Sequence, residues 1–187
     1  ALATASVGSP ANPPAVARFN DPPIRVWLNS DNSFVRGERA RVYLRTAQDG
    51  YVVVLRADAE GHVRVLFPLD PSADAFARGD RKFEVVGSGG DEAFTVDEGD
   101  GTGVVLATWS ESPFTFDGLV QGDQWDEHAL GAQRSGDGRE AALVEIVQGM
   151  AGDHHFDYDV ATYTVQSATA YNDGPYYGPY YRPWLGR

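Results

Sequence analysis

The sequence predicts a mostly β protein: an antiparallel β-sandwich, Ig-like in outline, with one short helix and extended N- and C-terminal arms. Three observations carry this expectation. Apolar and polar residues alternate in short runs, the period of a strand with one buried face. Gly and Pro, 21 and 11 of them, punctuate those runs closely enough to favour turns over long helices. Helical spacing of apolar residues is sustained in one stretch only, from Leu143 to Met150. With 42% hydrophobic residues in 187, the chain can bury one core. The expected organisation is therefore an arm over 1–23, a β-sandwich over 24–168 and a tail over 169–187.

Residues 1–23 are rich in Ala, Pro and Ser, with Pro10, Pro13-Pro14 and Pro22-Pro23. Proline fixes φ and removes backbone donors, so this segment reads as an extended arm. Ile24–Leu28 alternates, with Ile24, Val26 and Leu28 on one face. Arg39–Arg45 does the same, with Ala40, Val42 and Leu44 inward and Arg39, Arg41, Tyr43 and Arg45 outward. Asp49-Gly50 is a hairpin signal, because Gly accepts the positive φ of a tight turn. Tyr51–Leu55 is apolar on both faces and so central. Asp58–Gly61 is the next turn, and His62–Phe67 is a strand closed by Pro68, which cannot donate to a ladder.

Residues 69–81 read as a polar loop. Lys82–Val86, Ala93–Val96 and Gly103–Trp109 read as further strands, and Asp97–Thr102 as a turn. Residues 110–135 lack a clear period, with Trp125 and Leu130 as packing anchors. Asp137-Gly138-Arg139-Glu140 has capping-box spacing ahead of the helix, which Gly149 and Gly152 should end. Phe156–Val165 is a last strand, making about eight in all.

Several of these elements together resemble a known family. Ile24–Leu28, Gly37-Glu38, Asp49-Gly50-Tyr51, Asp58, Gly61 and Leu66-Phe67-Pro68, in that order, resemble the bacterial domain of unknown function 4384 over residues 22–112. The resemblance implies a small β-sandwich with a binding or scaffolding role, and it supplies no catalytic residue. The acidic stretch, helix and tail after residue 112 depart from the pattern. In physical terms the motif is structural: Gly50 permits a turn, Tyr51 enters a central strand, and Phe67 plugs the core.

Composition narrows the function. No stretch approaches the ~20 apolar residues that span a bilayer, so no transmembrane segment is expected. The absence of cysteine excludes disulfides, thiolate metal sites and a Cys nucleophile. A net charge of −12 argues against nucleic acid as a partner. That charge is uneven: residues 18–82 hold 11 basic and 9 acidic groups, residues 83–160 hold 2 and 17. This hints at a sided surface. The chain opens Ala1-Leu2-Ala3 without Met, and Ala-x-Ala is the pattern left near a signal-peptidase cut. Export to the periplasm or beyond the cell is the expectation.

Candidate chemistry is thin. His154, His155, Asp157 and Asp159 are the best metal candidates, since His155, Asp157 and Asp159 share a strand face. Yet Asp159 lies about 13 Å along a strand from His155, too far to share an ion. Asp97, Glu98 and Asp100 in a Gly-rich turn could hold calcium, although the full EF-hand pattern is missing. Ser110, Glu111 and Ser112 lack a nucleophile elbow, and Glu127-His128 forms no distinctive acid/base pair. No catalytic residue, metal ligand or cofactor is therefore assigned.

Binding is better supported. Arg25, Arg39, Arg41 and Arg45 fall on outward strand faces as a possible docking face, since Arg is enriched at interfaces and pairs bidentately with carboxylates. Tyr171 precedes a direct repeat, Gly174-Pro175-Tyr176-Tyr177 and Gly178-Pro179-Tyr180-Tyr181, followed by Arg182 and Trp184. Pro and Gly forbid a helix there, and the aromatics have the composition of a binding hot spot. Tyr171, Tyr176, Tyr177, Tyr180, Tyr181, Arg182 and Trp184 are the expected partner-binding residues. The sequence thus reads as a non-catalytic, extracytoplasmic accessory subunit. It would dock through its arms on other protein subunits of a membrane-associated or extracellular complex, such as a respiratory or photosynthetic assembly or a surface filament. Two alternatives stay open: a glycan- or small-ligand-binding sandwich that stacks ligands on Trp27, Trp109, Trp125 or tyrosines, and a metal-dependent hydrolase built on His154 and His155.

Overall fold

The computed structural model describes residues 22–132 and 138–167. Strands β1 (Ile24–Leu28), β4 (Val42–Thr46) and β8 (Lys82–Val85) form an antiparallel sheet in the order β1-β4-β8. A larger sheet runs β2 (Ser33–Val35), β13 (Asp157–Gln166), β10 (Gly101–Ser110), β5 (Gly50–Ala57), β6 (Val63–Phe67), with β7 (Phe76–Ala77) on another part of β5. Two short ribbons, β3 (Arg39–Ala40) with β9 (Phe94–Thr95) and β11 (Val120–Gln121) with β12 (Gln124–Trp125), complete the strands. The pairing is antiparallel except between β2 and β13, which run parallel. The structure is the expected mostly β, antiparallel sandwich, with this one parallel pairing at the edge of the large sheet. There the chain leaves the small sheet through Ser30–Asn32 and joins the large one in the direction of its last strand.

The period-2 rows of β5 and β10 explain the packing. Val52 and Val54 with Val105, Ala107 and Trp109 face the small sheet, meeting Val26, Val42, Leu44 and Val85. Val53, Leu55 and Ala57 with Val104 and Leu106 face the other way, onto Leu143, Ile146, Val147 and Met150 of a helix. Strands apolar on both faces need cover on both faces. The expected two-layer sandwich therefore carries a third layer, built from α1 (Glu127–Ala132), α2 (Arg139–Ala151) and the segment between β10 and α1. Within it Leu130 is fully buried, and Trp125 packs edge-on against Phe116 and donates its Nε1–H to the Pro68 carbonyl. Both expected anchors are in place. The unexpected α1 starts where the Asp126 carboxylate accepts the His128 and Ala129 amides, satisfying donors that a first helical turn leaves open.

Four local readings are corrected. Asp49-Gly50 is no hairpin, because β4 and β5 lie in different sheets and the segment crosses between layers. Gly50 has no positive φ. Its role is close approach: a Cβ there would lie 2.2 Å from Trp109 Nε1 and 2.7 Å from the Ser110 carbonyl oxygen. Phe67 is only half-buried, packing edge-on against Phe83, while Leu66 enters the core at a register shift. The helix N-cap is Gly138, with no side-chain cap; Asp137, the expected capping-box residue, lies outside the described residues. Finally, α2 runs through Gly149 and ends at Gly152, whose φ of 61° suits a residue without Cβ.

The Gly50 geometry yields a first prediction. Gly50→Ala should destabilise the protein by about 2–3 kcal/mol, because the methyl group meets the buried Trp109 indole and the Ser110 backbone carbonyl. Urea unfolding would check this, and a loss under about 1 kcal/mol would show that the crossover is slack.

The three-layer order gives the uneven charge a place. Residues 111–131 and 138–153, which form the helical layer and its approaches, carry eight carboxylates against the single guanidinium of Arg139. The outer face of the small sheet, on the opposite side, is basic. Among the described residues no helix is long and apolar enough to cross a membrane. The arm up to Asp21 and the tail from Ala168, with Tyr171, Tyr176, Tyr177, Tyr180, Tyr181, Arg182 and Trp184, lie outside the described residues.

Candidate functional site

The outer face of the small sheet is built by register. Arg25 of β1 stands opposite Arg45 of β4, and Arg45 stands opposite Lys82 of β8. Three cations thus form one cross-strand row. The next row is Trp27, Tyr43 and Glu84. Like charges directly opposite one another destabilise a sheet. The structure offsets this in part: Arg45 pairs with Asp80, and Lys82 Nζ lies 3.9 Å from the centroid of Tyr43. Arg41 reaches Glu84 at 3.1 Å. Among the described residues Arg25 has no ion-pair partner. Trp27 stacks on Tyr43 with ring centroids 6.0 Å apart, yet remains 37% exposed.

Of the four expected arginines, Arg25, Arg41 and Arg45 therefore share this face with Trp27. Arg39 does not. The strand expected over 39–45 is broken at Arg41, so Arg39 sits on the β3–β9 ribbon, near Glu92 at 3.7 Å. Trp27 is the accessible indole of the three weighed for stacking. Trp109 is buried, and its Nε1 stands over Gly50 without a hydrogen-bond partner among the described residues.

The residues weighed for chemistry diverge. His155 lies 3.3 Å from Asp157, but the Asp159 carboxylate accepts the Val26 amide and so tethers β13 to β1. His154 donates its amide to the end of α2. In the acidic turn, Glu98 points inward while Asp100 accepts from Ser167 at 2.5 Å. Among the described residues no three His, Cys, Asp or Glu side chains are grouped to hold a metal ion. Ser110 is buried and donates to the His155 carbonyl at 2.8 Å, a strand-end contact.

The sequence reading missed a polar cluster between the sheets. Arg56 continues the inward row of Val52 and Val54 and is 2% exposed. Its Nη2 donates to Glu98 Oε2 at 2.5 Å, and its Nε donates to Tyr163 Oη at 2.8 Å. Tyr163 Oη in turn donates to Glu98 Oε1 at 2.6 Å, closing a ring of three side chains. The Arg56 guanidinium also lies 3.9 Å from the Phe94 ring centroid. Burial pushes the Glu98 carboxyl up, but hydrogen bonds from Arg56 and Tyr163 outweigh it and hold Glu98 below the ordinary glutamate range. Burial first, then the Glu98 carboxylate, pushes the Tyr163 phenol well above its ordinary value, so it remains an O–H donor. The signal in the sequence was a cation on an otherwise apolar inward row.

Beside this cluster a groove of about 350 Å³ opens between β6 and the segment 87–97. Arg64, Val65, Leu69 and Asp97 line it, with Phe94 and Arg56 deeper.

These features define a β-rich module whose small sheet presents a basic, aromatic outer face. Residues 33–113 match the family model described as Domain of unknown function (DUF4384), in keeping with the resemblance carried by the Asp-Gly-Tyr and Leu-Phe-Pro elements. The match begins at Ser33, so β1 lies outside it, as do the helical layer and β13. No curated protein and no solved structure matches the chain.

Proposed function

We propose that this protein is a non-catalytic interaction module that docks, through the outer face of its small sheet, on a carboxylate-rich surface of another protein. The supporting observation is the cation row Arg25–Arg45–Lys82, a costly arrangement for a sheet whose only task is to fold. Beside it, Trp27 and Tyr43 supply aromatic area of the kind enriched in interface hot spots. Charge complementarity names the occupant: a basic face on a chain of net charge −12 selects an acidic partner and orients the approach. In this reading the protein is an accessory subunit of an envelope-associated assembly, outside the cytoplasm, with the three-layer body holding the face in position.

The test is a photo-crosslinking residue at position 27 in cells, with position 148 on the acidic helical layer as control. A discrete adduct from position 27, lost at least tenfold in Arg25→Glu/Arg45→Glu, is expected. Equal labelling at both positions, or an adduct indifferent to charge reversal, overturns the reading. Binding of the purified protein to anionic vesicles, abolished by the same pair, would replace the protein partner with a membrane surface. Exposed Trp27 favours a second reading, glycan stacking. It predicts fluorescence quenching by cell-wall glycans that Trp27→Ala removes and Arg25→Glu spares.

A further inference from the structure

Of the small sheet's two edges, one is closed by a side chain and the other is open. Both ladders of β4 are antiparallel, so backbone groups along each strand point alternately to one neighbour and the other. At the β1 edge the Val26 amide points away from β4 and donates to the Asp159 carboxylate of β13 at 2.8 Å. The Asn29 amide points the other way and donates to the Arg41 carbonyl just before β4. Odd-numbered residues of β1 therefore bond to β4, while Val26 and its opposite, Leu44, do not bond to each other. Leu44 is thus free to bond Phe83 of β8, and the backbone groups of Lys82 and Glu84 point outward. Among the described residues β8 pairs with β4 alone. Neither proline nor bulge interrupts it, and Val86, the residue after it, is 51% exposed. Such an edge is a template for a further strand.

We infer that β8 pairs antiparallel with β8 of a second copy of this chain, about a two-fold axis at Phe83. Charge selects both the occupant and the register. Outward amides must meet outward carbonyls, so Lys82 and Glu84 can lie opposite only even-numbered residues of the added strand. In one such register Lys82 meets the second copy's Glu84, and Glu84 meets its Lys82, with the two Phe83 residues opposite each other. A slide of two residues in one direction places Lys82 opposite Lys82; in the other direction it places Glu84 opposite Glu84. Like charges directly opposite destabilise a sheet, so both slides are disfavoured. Lys82-Phe83-Glu84 is therefore complementary to itself when reversed, as a two-fold contact requires. The side chains already have neighbours, Arg41 at 3.1 Å from Glu84 and the Tyr43 ring beneath Lys82. Those contacts lie on the solvated face and leave the edge backbone unpaired. With the axis normal to the sheet, the product is a six-stranded sheet whose two basic faces lie on one side. Each row Arg25–Arg45–Lys82 then runs into a carboxylate, which relieves its crowding of like charge. The pairing stands without the docking reading; where both hold, the dimer carries two docking faces side by side.

Sedimentation of the full chain from about 10 μM to about 1 mM tests this, since a contact of one short strand belongs with small, weak interfaces. The wild type should pass from monomer to dimer within that range. Glu84→Pro removes an outward donor and spares the β4 ladder, so it should stay folded and monomeric throughout. Lys82→Glu should weaken the dimer at least tenfold, and adding Glu84→Lys should restore it to within about threefold. A wild type that remains monomeric overturns the proposal. So does a dimer that survives Glu84→Pro, or a loss in Lys82→Glu that Glu84→Lys does not reverse. The docking reading is tested by charge reversal at Arg25 and Arg45, which Glu84→Pro leaves in place, so the two failures are distinguishable.

Discussion

Glu98→Ala should lower the stability of the protein by about 3–5 kcal/mol. The substitution removes few apolar contacts. What it leaves behind is the Arg56 cation, 2% exposed, without its nearest carboxylate among the described residues; Asp97 is 4.0 Å away and largely in solvent. A buried charge without its partner bears its full desolvation cost. For a domain of this size the shift in Tm should be roughly 10–15 °C. The reciprocal experiment separates charge from packing. Arg56→Met/Glu98→Leu removes both ions and should recover most of the loss, because apolar replacement of a buried pair is often neutral. If Glu98→Ala costs under about 1 kcal/mol, the cluster is hydrated and the argument from burial fails.

The same carboxylate contributes to acid sensitivity. Its folded value is held below the ordinary one, so the unfolded chain takes up the proton first as pH falls. Its contribution is complete above the ordinary glutamate pKa of about 4.3 and is lost as pH falls through that value towards the lower folded one. Glu98→Gln should therefore be less stable at neutral pH, with a flatter decline below about pH 5. Urea midpoints at several pH values would measure the difference.

Gly103→Ala should cost about 3–4 kcal/mol, through Tyr163. Gly103 of β10 faces Tyr163 of β13 in register, and the tyrosine ring lies across it. A Cβ at position 103 would stand 2.1 Å from Tyr163 Cζ and 2.3 Å from its hydroxyl oxygen. The ring has no free space to enter: it is fully buried, edge-on to Phe34 at 5.9 Å and tilted against Phe94 at 5.7 Å. Moving it breaks the hydrogen bonds to both Glu98 and Arg56. Tyr163→Phe, which keeps the ring and deletes the hydroxyl, should cost less, about 1–2 kcal/mol. A Gly103→Ala protein as stable as the wild type would mean that the ring is not fixed by the cluster. Equal costs for Gly103→Ala and Tyr163→Phe would place the whole penalty in the hydrogen bonds.

The strands with one solvated face were legible because their pattern is local. Ile24–Leu28, Val42–Thr46 and the later half of α2 each carry their periodicity within a few residues. The same alternation put Arg25, Arg41, Tyr43 and Arg45 on the outer face, so much of the candidate docking surface could be read directly. Gly50 was misread because a glycine beside Asp looks the same whether it is needed for a turn or for an indole 50-odd residues away in the chain.

Periodicity in the chain therefore determined which faces are buried, and composition determined that disulfides play no part. Tertiary structure alone decided which strands share a sheet, that a helical layer covers the second face of β5 and β10, and that Arg25, Arg45 and Lys82 line up in one row. It also brought Arg56, Glu98 and Tyr163 together from positions 42 and 65 residues apart. The physical reason is range. Backbone sterics and side-chain alternation act over a few residues and leave a mark in every window. Strand pairing and buried ion pairs join distant segments, so each partner has its ordinary local surroundings until the chain closes around it.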